Sequence, residues 1–201
     1  MISPLCNKIF RESIEDYHIA DDPDAPSRNP YQGGSLEHLL YMKNWVDTVQ
    51  WHLEDIIREP GINPPTALQV KRKIDKSNQE RTDLVEVIDN HFLQQYSNVQ
   101  QQPGAGFNTE SPAWAIDRLS ILALKIYHMQ AETERKDATP QHRESCSEKL
   151  VILLQQQEDL SSAIDELMDE IAKGKKYMKV YRQMKMYNDP SLNPVLYGKK
   201  N

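Results

Sequence analysis

The chain has 201 residues, 38% hydrophobic and 27% charged, with a formal net charge of −6 and a mean hydropathy of −0.72. That is enough chain for one polar domain with a real core, and no apolar run approaches the roughly 18–20 residues that span a bilayer. Cys6 and Cys146 are the only cysteines, too few for a disulfide scaffold or a Cys-based zinc site.

The N-terminus, MISPLCNKIFRESIEDYH, lacks the basic-then-apolar layout of a signal peptide, so a reducing cytoplasm is the expected location. The charge is uneven. Lys173, Lys175, Lys176, Lys179, Arg182 and Lys185 form a run of six cations without an acid, which leaves −12 for the rest. An acidic body argues against nucleic-acid coating. The basic, Tyr- and Met-rich segment either meets a phosphate-bearing partner, RNA, a membrane surface or a partner helix, or docks its apolar residues on the bundle and leaves its lysines solvated.

Residues 4–19 can form a short helix with Phe10, Ile14 and Tyr17 on one side. ADDPDAPSRNPYQGG (20–34) then breaks every regular pattern with Pro23, Pro26, Pro30 and two glycines. A connection that long is a functional flap or a loosely held loop. Ser35 caps a second helix that runs to about Glu59, before Pro60-Gly61. Met42, Val46, Val49, Leu53, Ile56 and Ile57 make its apolar face. Asn44, Thr48, His52 and Asp55 line up on a neighbouring arc, bordered by Trp45 and Trp51.

Pro64-Pro65 opens a third helix reaching about residue 97, with Val70, Ile74, Val85, Ile88 and Phe92 in one stripe. Asn78 and Arg81 fall inside that stripe. An arginine there either pairs with a buried carboxylate from another helix or binds an anion. Asp75 and Asp83 point elsewhere, as surface charge. The loop 97–111 has a flexible centre at Pro103–Gly106 that is no phosphate loop, because no strand precedes it and no GK[ST] follows. It delivers Glu110 to the next helix.

SPAWAIDRLSILALKIYHM (111–129) is the expected central helix, with Ser111 as N-cap and Pro112 in the first turn. Leu119, Leu122, Ala123 and Ile126 cover one side, and Ile121 and Leu124 much of the other, as in a helix buried nearly all round. Yet it carries Asp117, Arg118, Lys125 and His128, and buried charge is costly unless paired or bound. This conflict points to a polar site inside a helical protein. Thr139-Pro140 starts a fifth helix. Leu150, Leu153, Gln157, Leu160, Ile164, Leu167 and Ile171 form its bundle seam, and Gly174 is the expected stop. Gln157 interrupts the seam to select register or to reach the interior polar cluster. KKYMKVYRQMKMYN then reads as a basic helix, followed by an extended tail. The fold expected is all-α, a single domain over 1–201. It is a bundle of four long helices plus one or two shorter terminal ones, with 35–173 as bundle core and 174–201 as basic helix and tail.

A metal site finds little support in the spacing, so no metal ligands are assigned and the cofactor is unknown; if an ion is held, Mg²⁺ on the carboxylates fits better than a transition metal. Asp117 and His128 share a face but lie about 16 Å apart along the axis, so they cannot share one ion. The chain has no HExxH, no His-Asp doublet and no multi-histidine set, and only one reversed His-x-x-Asp pair. Arg58, Arg81, Arg118 and Lys125, with acids nearby, suit phosphate or carboxylate recognition, or a structural ion-pair network. Nucleophilic catalysis is poorly provided for: Cys6 is near a terminus, Cys146 sits on a surface-like turn, and no serine lies in a nucleophile elbow. KRKIDKSNQERTDLVEVID resembles, over a short stretch, the isoleucine-aspartate helix of all-α chorismate mutases.

The blocks YHIADDPDAPSRNPY, KNWVDTVQWHLEDIIREP, KRKIDKSNQERTDLVEVID, NTESPAWAIDRLSILALKIYHM and YRQMKMYNDPSLNPVLYG follow one another in that order over nearly the full length. On these blocks the chain resembles the bacterial domain of unknown function 4254 family. It implies a cytoplasmic, Bacteroidetes-type helical protein with no assigned activity. The distinctive positions it implies are Asn44, Trp51, His52, Glu54, Asp55, Asp75, Asn78, Arg81, Glu110, Asp117, Arg118 and Lys125. A weaker likeness to a second uncharacterised family implies a companion of surface-glycan glycosyltransferases.

The expected site is a pocket between the second, third and central helices that binds a small anionic ligand, such as a phosphorylated sugar or nucleotide. Asn44, Trp51, Asn78, Arg81, Arg118 and Lys125 would bind it. His52, Asp55, Glu110 and Asp117 would orient it, hold a metal, or act as acid and base. The alternative is a non-enzymatic scaffold or adaptor meeting a protein partner through 173–187.

Overall fold

A computed structural model describes residues 1–183 and 191–192. Among these residues there are five helices: α1 (Ser3–Ala20), α2 (Leu36–Ile56), α3 (Pro64–Gln95), α4 (Pro112–Glu134) and α5 (Pro140–Ala172). Among the described residues there is no strand beyond one isolated parallel bridge between Gly106 and Lys176. The protein is all-α, with four long helices and one shorter helix at its N-terminal end. No helix among the described residues is long and apolar enough to cross a membrane.

Starts and stops follow local chemistry. Ser35, Asn63, Ser111 and Thr139 cap α2 to α5 by accepting a backbone N–H of the first turn. Two helices are also capped from elsewhere in the fold. Asp165 of α5 accepts the N–H groups of Ile2 and Ser3 (2.6 and 2.9 Å) and the Ser3 hydroxyl (2.6 Å), pinning the start of α1. Asp89 of α3 accepts the Ser111 hydroxyl (2.6 Å) and the Ala113 N–H (3.0 Å) at the start of α4. A carboxylate at a helix N-terminus meets both the orphan donors and the positive end of the dipole.

α4 packs on α5, α2 on α3, and α1 on both α2 and α4. The main core joins Phe10, Ile14 and Tyr17 of α1 to Leu40 and Tyr41 of α2, Val85, Ile88 and Phe92 of α3, and Ile116, Leu119 and Leu124 of α4. α5 contributes Ile164 and Met168 to it. A smaller cluster of Leu53, Val70 and Ile74 holds the far ends of α2 and α3 together. The α3 stripe read from the sequence is buried as expected, and α4 is buried from Ala115 to Leu124 except at Arg118 and Ile121.

Several expectations are corrected. α2 is buried all round from Lys43 to Thr48, so it is as central as α4. The seam of α5 is fully buried only in its second half, at Ile164, Leu167 and Ile171; Leu150, Leu153, Gln157 and Leu160 are half-buried. Gln157 reaches Asn7 of α1 (3.2 Å), away from the interior charges. Both cysteines are buried. Cys146 is not on an open turn, and burial first, then Asp165, pushes the Cys6 thiol up to about 12.

The basic segment is not helical over 175–183. Gly174 turns the chain out of α5 at φ +71°, and the chain then runs beside the 97–111 loop. Gln102 N–H donates to the Gly174 carbonyl (2.8 Å) and Tyr177 N–H to Gly106 (3.0 Å). Lys179 lies over the Phe107 ring at 5.1 Å, and Gln183 N–H reaches Glu86 on α3 at 3.0 Å. The remainder of that expected helix, and the tail, fall outside the described residues except at 191–192.

Candidate functional site

The charges that α4 and α3 carry inward meet those of α2 in one buried network. Lys43 is fully buried; its ammonium lies 2.8 Å from Asp117 Oδ1 and also bonds Asp47. Arg81 donates to both oxygens of Asp117, from Nε at 2.9 Å and Nη2 at 2.5 Å, and its Nε lies 3.4 Å from Asp47 Oδ1. The Ser120 hydroxyl donates to Asp47 Oδ2 (2.5 Å), and Asn44 Nδ2 donates to the Ser120 hydroxyl (3.0 Å). Two cations face two carboxylates, which is how such charge survives burial.

The two acids behave differently. Burial raises the Asp117 carboxyl, but Lys43 and the bidentate Arg81 overcome this and hold it below the usual range. Burial dominates at Asp47 and raises it despite Lys43. For Arg81, burial works against the charge and Asp117 more than offsets it. Asp117 is therefore the firm anion of the network, and Asp47 takes a proton first on acidification.

This network floors a cleft of about 330 Å³. Its walls are Asp47, Gln50, Trp51, Glu54 and Asp55 of α2, Arg58 just beyond, Arg81 of α3, and Ile121 and Leu124 of α4. Gln50 donates to Asn78 (2.9 Å), which brings Asn78 to the cleft's edge. The Oδ1 of Asp47 and the Oε1 of Gln50 are both buried and accept no hydrogen bond from the described residues. Asp55 is exposed at the mouth.

Trp51 also belongs to a second cluster. It stacks on His128 of α4 with centroids 4.9 Å apart and planes 6° from parallel. His18, at the end of α1, and His52 of α2 complete a histidine triad, with one ligand-capable atom of each lying within 4.8 Å of the others. His18 Nδ1 lies 2.7 Å from the Ile14 carbonyl oxygen. Since a carbonyl only accepts, Nδ1 carries the proton and Nε2 of the neutral ring holds the lone pair. That Nε2 is 3.3 Å from His52 Nε2. His128 Nε2 is buried and unpartnered among the described residues. Burial first, then repulsion from His18 and His52, lowers His128 to about 4, and the leading causes at His52 are likewise burial and His18. A second, more open group joins Glu132, His142 and Cys146; His142 Nε2 is 2.7 Å from Glu132 and 3.4 Å from Cys146 Sγ.

The expected site residues thus divide. Asn44, Asp117 and Arg81 meet in the network, Arg81 by the buried Arg–Asp bridge that was one of its two readings. Trp51, Asn78 and Asp55 stand around the cleft, and His52 joins the triad. Arg118, Lys125 and Glu110 are not brought to them. Arg118 pairs with Glu110 at 3.1 Å on the exposed side of α4, and with Lys125 it lines a separate groove against α5. A helix apolar over most of its girth still has one solvated strip, and these residues occupy it.

Reading along the chain missed Lys43, Asp47, Ser120 and His18. The signal for the first two was present: Lys43 and Asp47 stand four apart on α2, and Lys43 is three from both Leu40 and Val46, inside an apolar face. His18 had no such signal, because the triad forms only when α1, α2 and α4 pack.

The architecture and interior define a class: a five-helix, all-α protein organised around a buried four-charge network and a neighbouring histidine triad. Residues 37–180, from the first turn of α2 to the segment beyond α5, match the family model described as Protein of unknown function (DUF4254). The chain belongs to that family. Neither the curated proteins nor the solved structures contain a match.

Proposed function

We propose that the protein binds a small polar ligand in the cleft between α2, α3 and α4, one that carries both an anionic group and hydroxyl or amino donors. The observation that carries this reading is the pair of buried acceptors, Asp47 Oδ1 and Gln50 Oε1, that accept no hydrogen bond from the described residues, Asp47 Oδ1 having only the ion pair with Arg81 Nε at 3.4 Å, in a cleft that also presents Arg58 and Arg81. Buried acceptors of this kind are normally satisfied, and a ligand hydroxyl or amine supplies the donor. The bidentate bridge to Asp117 uses Nε and Nη2 of Arg81, which leaves its other terminal nitrogen to meet an anion, with Arg58, paired with Glu54 at 2.9 Å, beside it. Trp51 offers a flat apolar wall. The volume suits a compact molecule, at the small end of the usual range for ligand pockets, and a phosphorylated sugar has the required mixture of groups. Arg118 and Lys125 line another groove and play no part in this site.

The adaptor reading, with or without a link to surface-glycan synthesis, has less behind it. The described part of the basic segment is already engaged with the 97–111 loop and α3.

Thermal-shift titration with sugar phosphates and nucleotides tests the proposal. A ligand at one hundred times its Kd adds about 2.7 kcal/mol, or roughly 5–10 °C in Tm for a chain of this size. The rise should vanish in Trp51→Ala and Arg58→Ala. No rise with any compound, or a rise that both variants retain, refutes it.

A further inference from the structure

We propose that His18, His52 and His128 form a three-histidine site for a divalent transition metal, with Zn²⁺ the best-fitting ion and Asp21 available as a fourth ligand. This goes beyond the cleft reading, and neither depends on the other.

Three features argue for it. The first is spacing. At the usual Zn–N distance of about 2.0–2.1 Å, two nitrogens on a tetrahedral ion lie roughly 3.3–3.4 Å apart. His18 Nε2 and His52 Nε2 are 3.3 Å apart. His18 Nε2 presents a lone pair, so His52 either donates a proton to it or shares a cation with it. The third nitrogen lies within 4.8 Å, within reach of a small ring rotation.

The second is orientation. Nδ1 of His18 is held by the Ile14 carbonyl, the kind of outer contact that fixes the tautomer of a metal-binding histidine. Tyr17 stacks on His52 at 5.0 Å, and Trp51 on His128. The rings are clamped by neighbours while His128 Nε2 has no partner among the described residues. A buried ring nitrogen without a partner is costly, and ligation removes that cost.

The third is the fourth position. Asp21 Oδ1 is 3.9 Å from His52 Nε2. Asp21 is the C-cap of α1 and takes the left-handed conformation, φ 50° and ψ 42°, the one residue other than glycine with positive φ among those described. It is also largely solvent-exposed, so that position can be filled by the carboxylate or by water. Three imidazoles with an oxygen ligand suit Zn²⁺, Ni²⁺ or Cu²⁺ and not Mg²⁺ or Ca²⁺.

The test uses the full chain, stripped with chelator. Equilibrium dialysis against Zn²⁺ should give one ion per chain. Because loss of an outer-shell partner alone weakens metal sites 10–100-fold, His18→Gln, His52→Gln and His128→Phe should each weaken binding by at least about 100-fold. His142→Ala, in the other cluster, should leave it unchanged. Co²⁺ added to the wild-type chain should give visible d–d bands without a near-ultraviolet thiolate band, and should quench Trp51 emission through its stacked partner. The proposal is overturned by the absence of stoichiometric binding, by binding lost only in His142→Ala, or by a thiolate band that places the ion at Cys146. If circular dichroism shows the histidine variants unfolded, the wild-type Co²⁺ spectrum still decides.

Discussion

Replacing Lys43 with methionine keeps the volume of the side chain and removes only its charge. The ammonium lies 2.8 Å from Asp117 and contacts Asp47 as well. At an effective dielectric of 20, one such contact is worth about 6 kcal/mol before desolvation is subtracted. Lys43 has itself given up all its hydration, so removing it also removes that penalty. What remains is two buried carboxylates facing one guanidinium, and breaking a buried pair in this way costs about 3–5 kcal/mol. For a chain of this length that is roughly 6–20 °C in Tm, a large part of a typical total stability of about 5–15 kcal/mol.

The structure adds two finer expectations. Asp47 is the acid already raised by burial, so in Lys43→Met it can discard its charge by taking a proton, and the loss should shrink from pH 7 to pH 5. Adding Asp47→Asn should recover much of the loss, because it leaves the bidentate Arg81–Asp117 pair balanced. Urea unfolding followed at 222 nm on the wild type, both single variants and the double variant measures all three. A loss under about 1 kcal/mol at pH 7, or a double variant no more stable than Lys43→Met, would show that the ammonium does not sit between these carboxylates.

Two further outcomes are expected. Gly174→Ala places a methyl 2.1 Å from the Gln100 carbonyl oxygen at a φ of +71°. Strain and collision should together destabilise the chain by about 2 kcal/mol or more, and faster proteolysis of the 97–111 loop would report it, whereas wild-type resistance would count against this docking. In metal-free protein, the unfolded chain binds a proton at His128 near the ordinary pKa of about 6.5, while the folded chain waits until about 4. The stability linked to this group is thus present above pH 6.5 and is lost as pH falls toward 4. It amounts to at most about 3 kcal/mol, and less where solvent reaches the ring. His128→Phe keeps a ring for Trp51 and should flatten the urea midpoint between pH 7 and pH 5; an unchanged slope would place the titration elsewhere.

Much of the fold is legible locally. Ser35, Ser111 and Thr139 cap the helices they were expected to cap, Pro64 and Pro112 open theirs, and Val70 to Phe92 face inward, because caps, prolines and helical periodicity act within a few residues. The errors arise where a neighbouring element decides. KKYMKVYRQ reads as helix by composition, yet Gly174 ends α5 and the segment pairs with Gly106. On α4, periodicity placed Asp117, Arg118 and Lys125 together in a polar site. Packing buries Asp117 and leaves the other two in solvent.

The sequence alone determined that the chain is helical, where the helices begin, and that unusual charge is carried on apolar faces. Those properties depend on contacts among residues three or four apart. Only the tertiary structure decided which charges meet. It joined Lys43 and Asp47 to Asp117 and Arg81, and brought three histidines separated by up to 110 positions within reach of one point. A partner across a helix interface is fixed by how whole helices pack, and no local spacing records it.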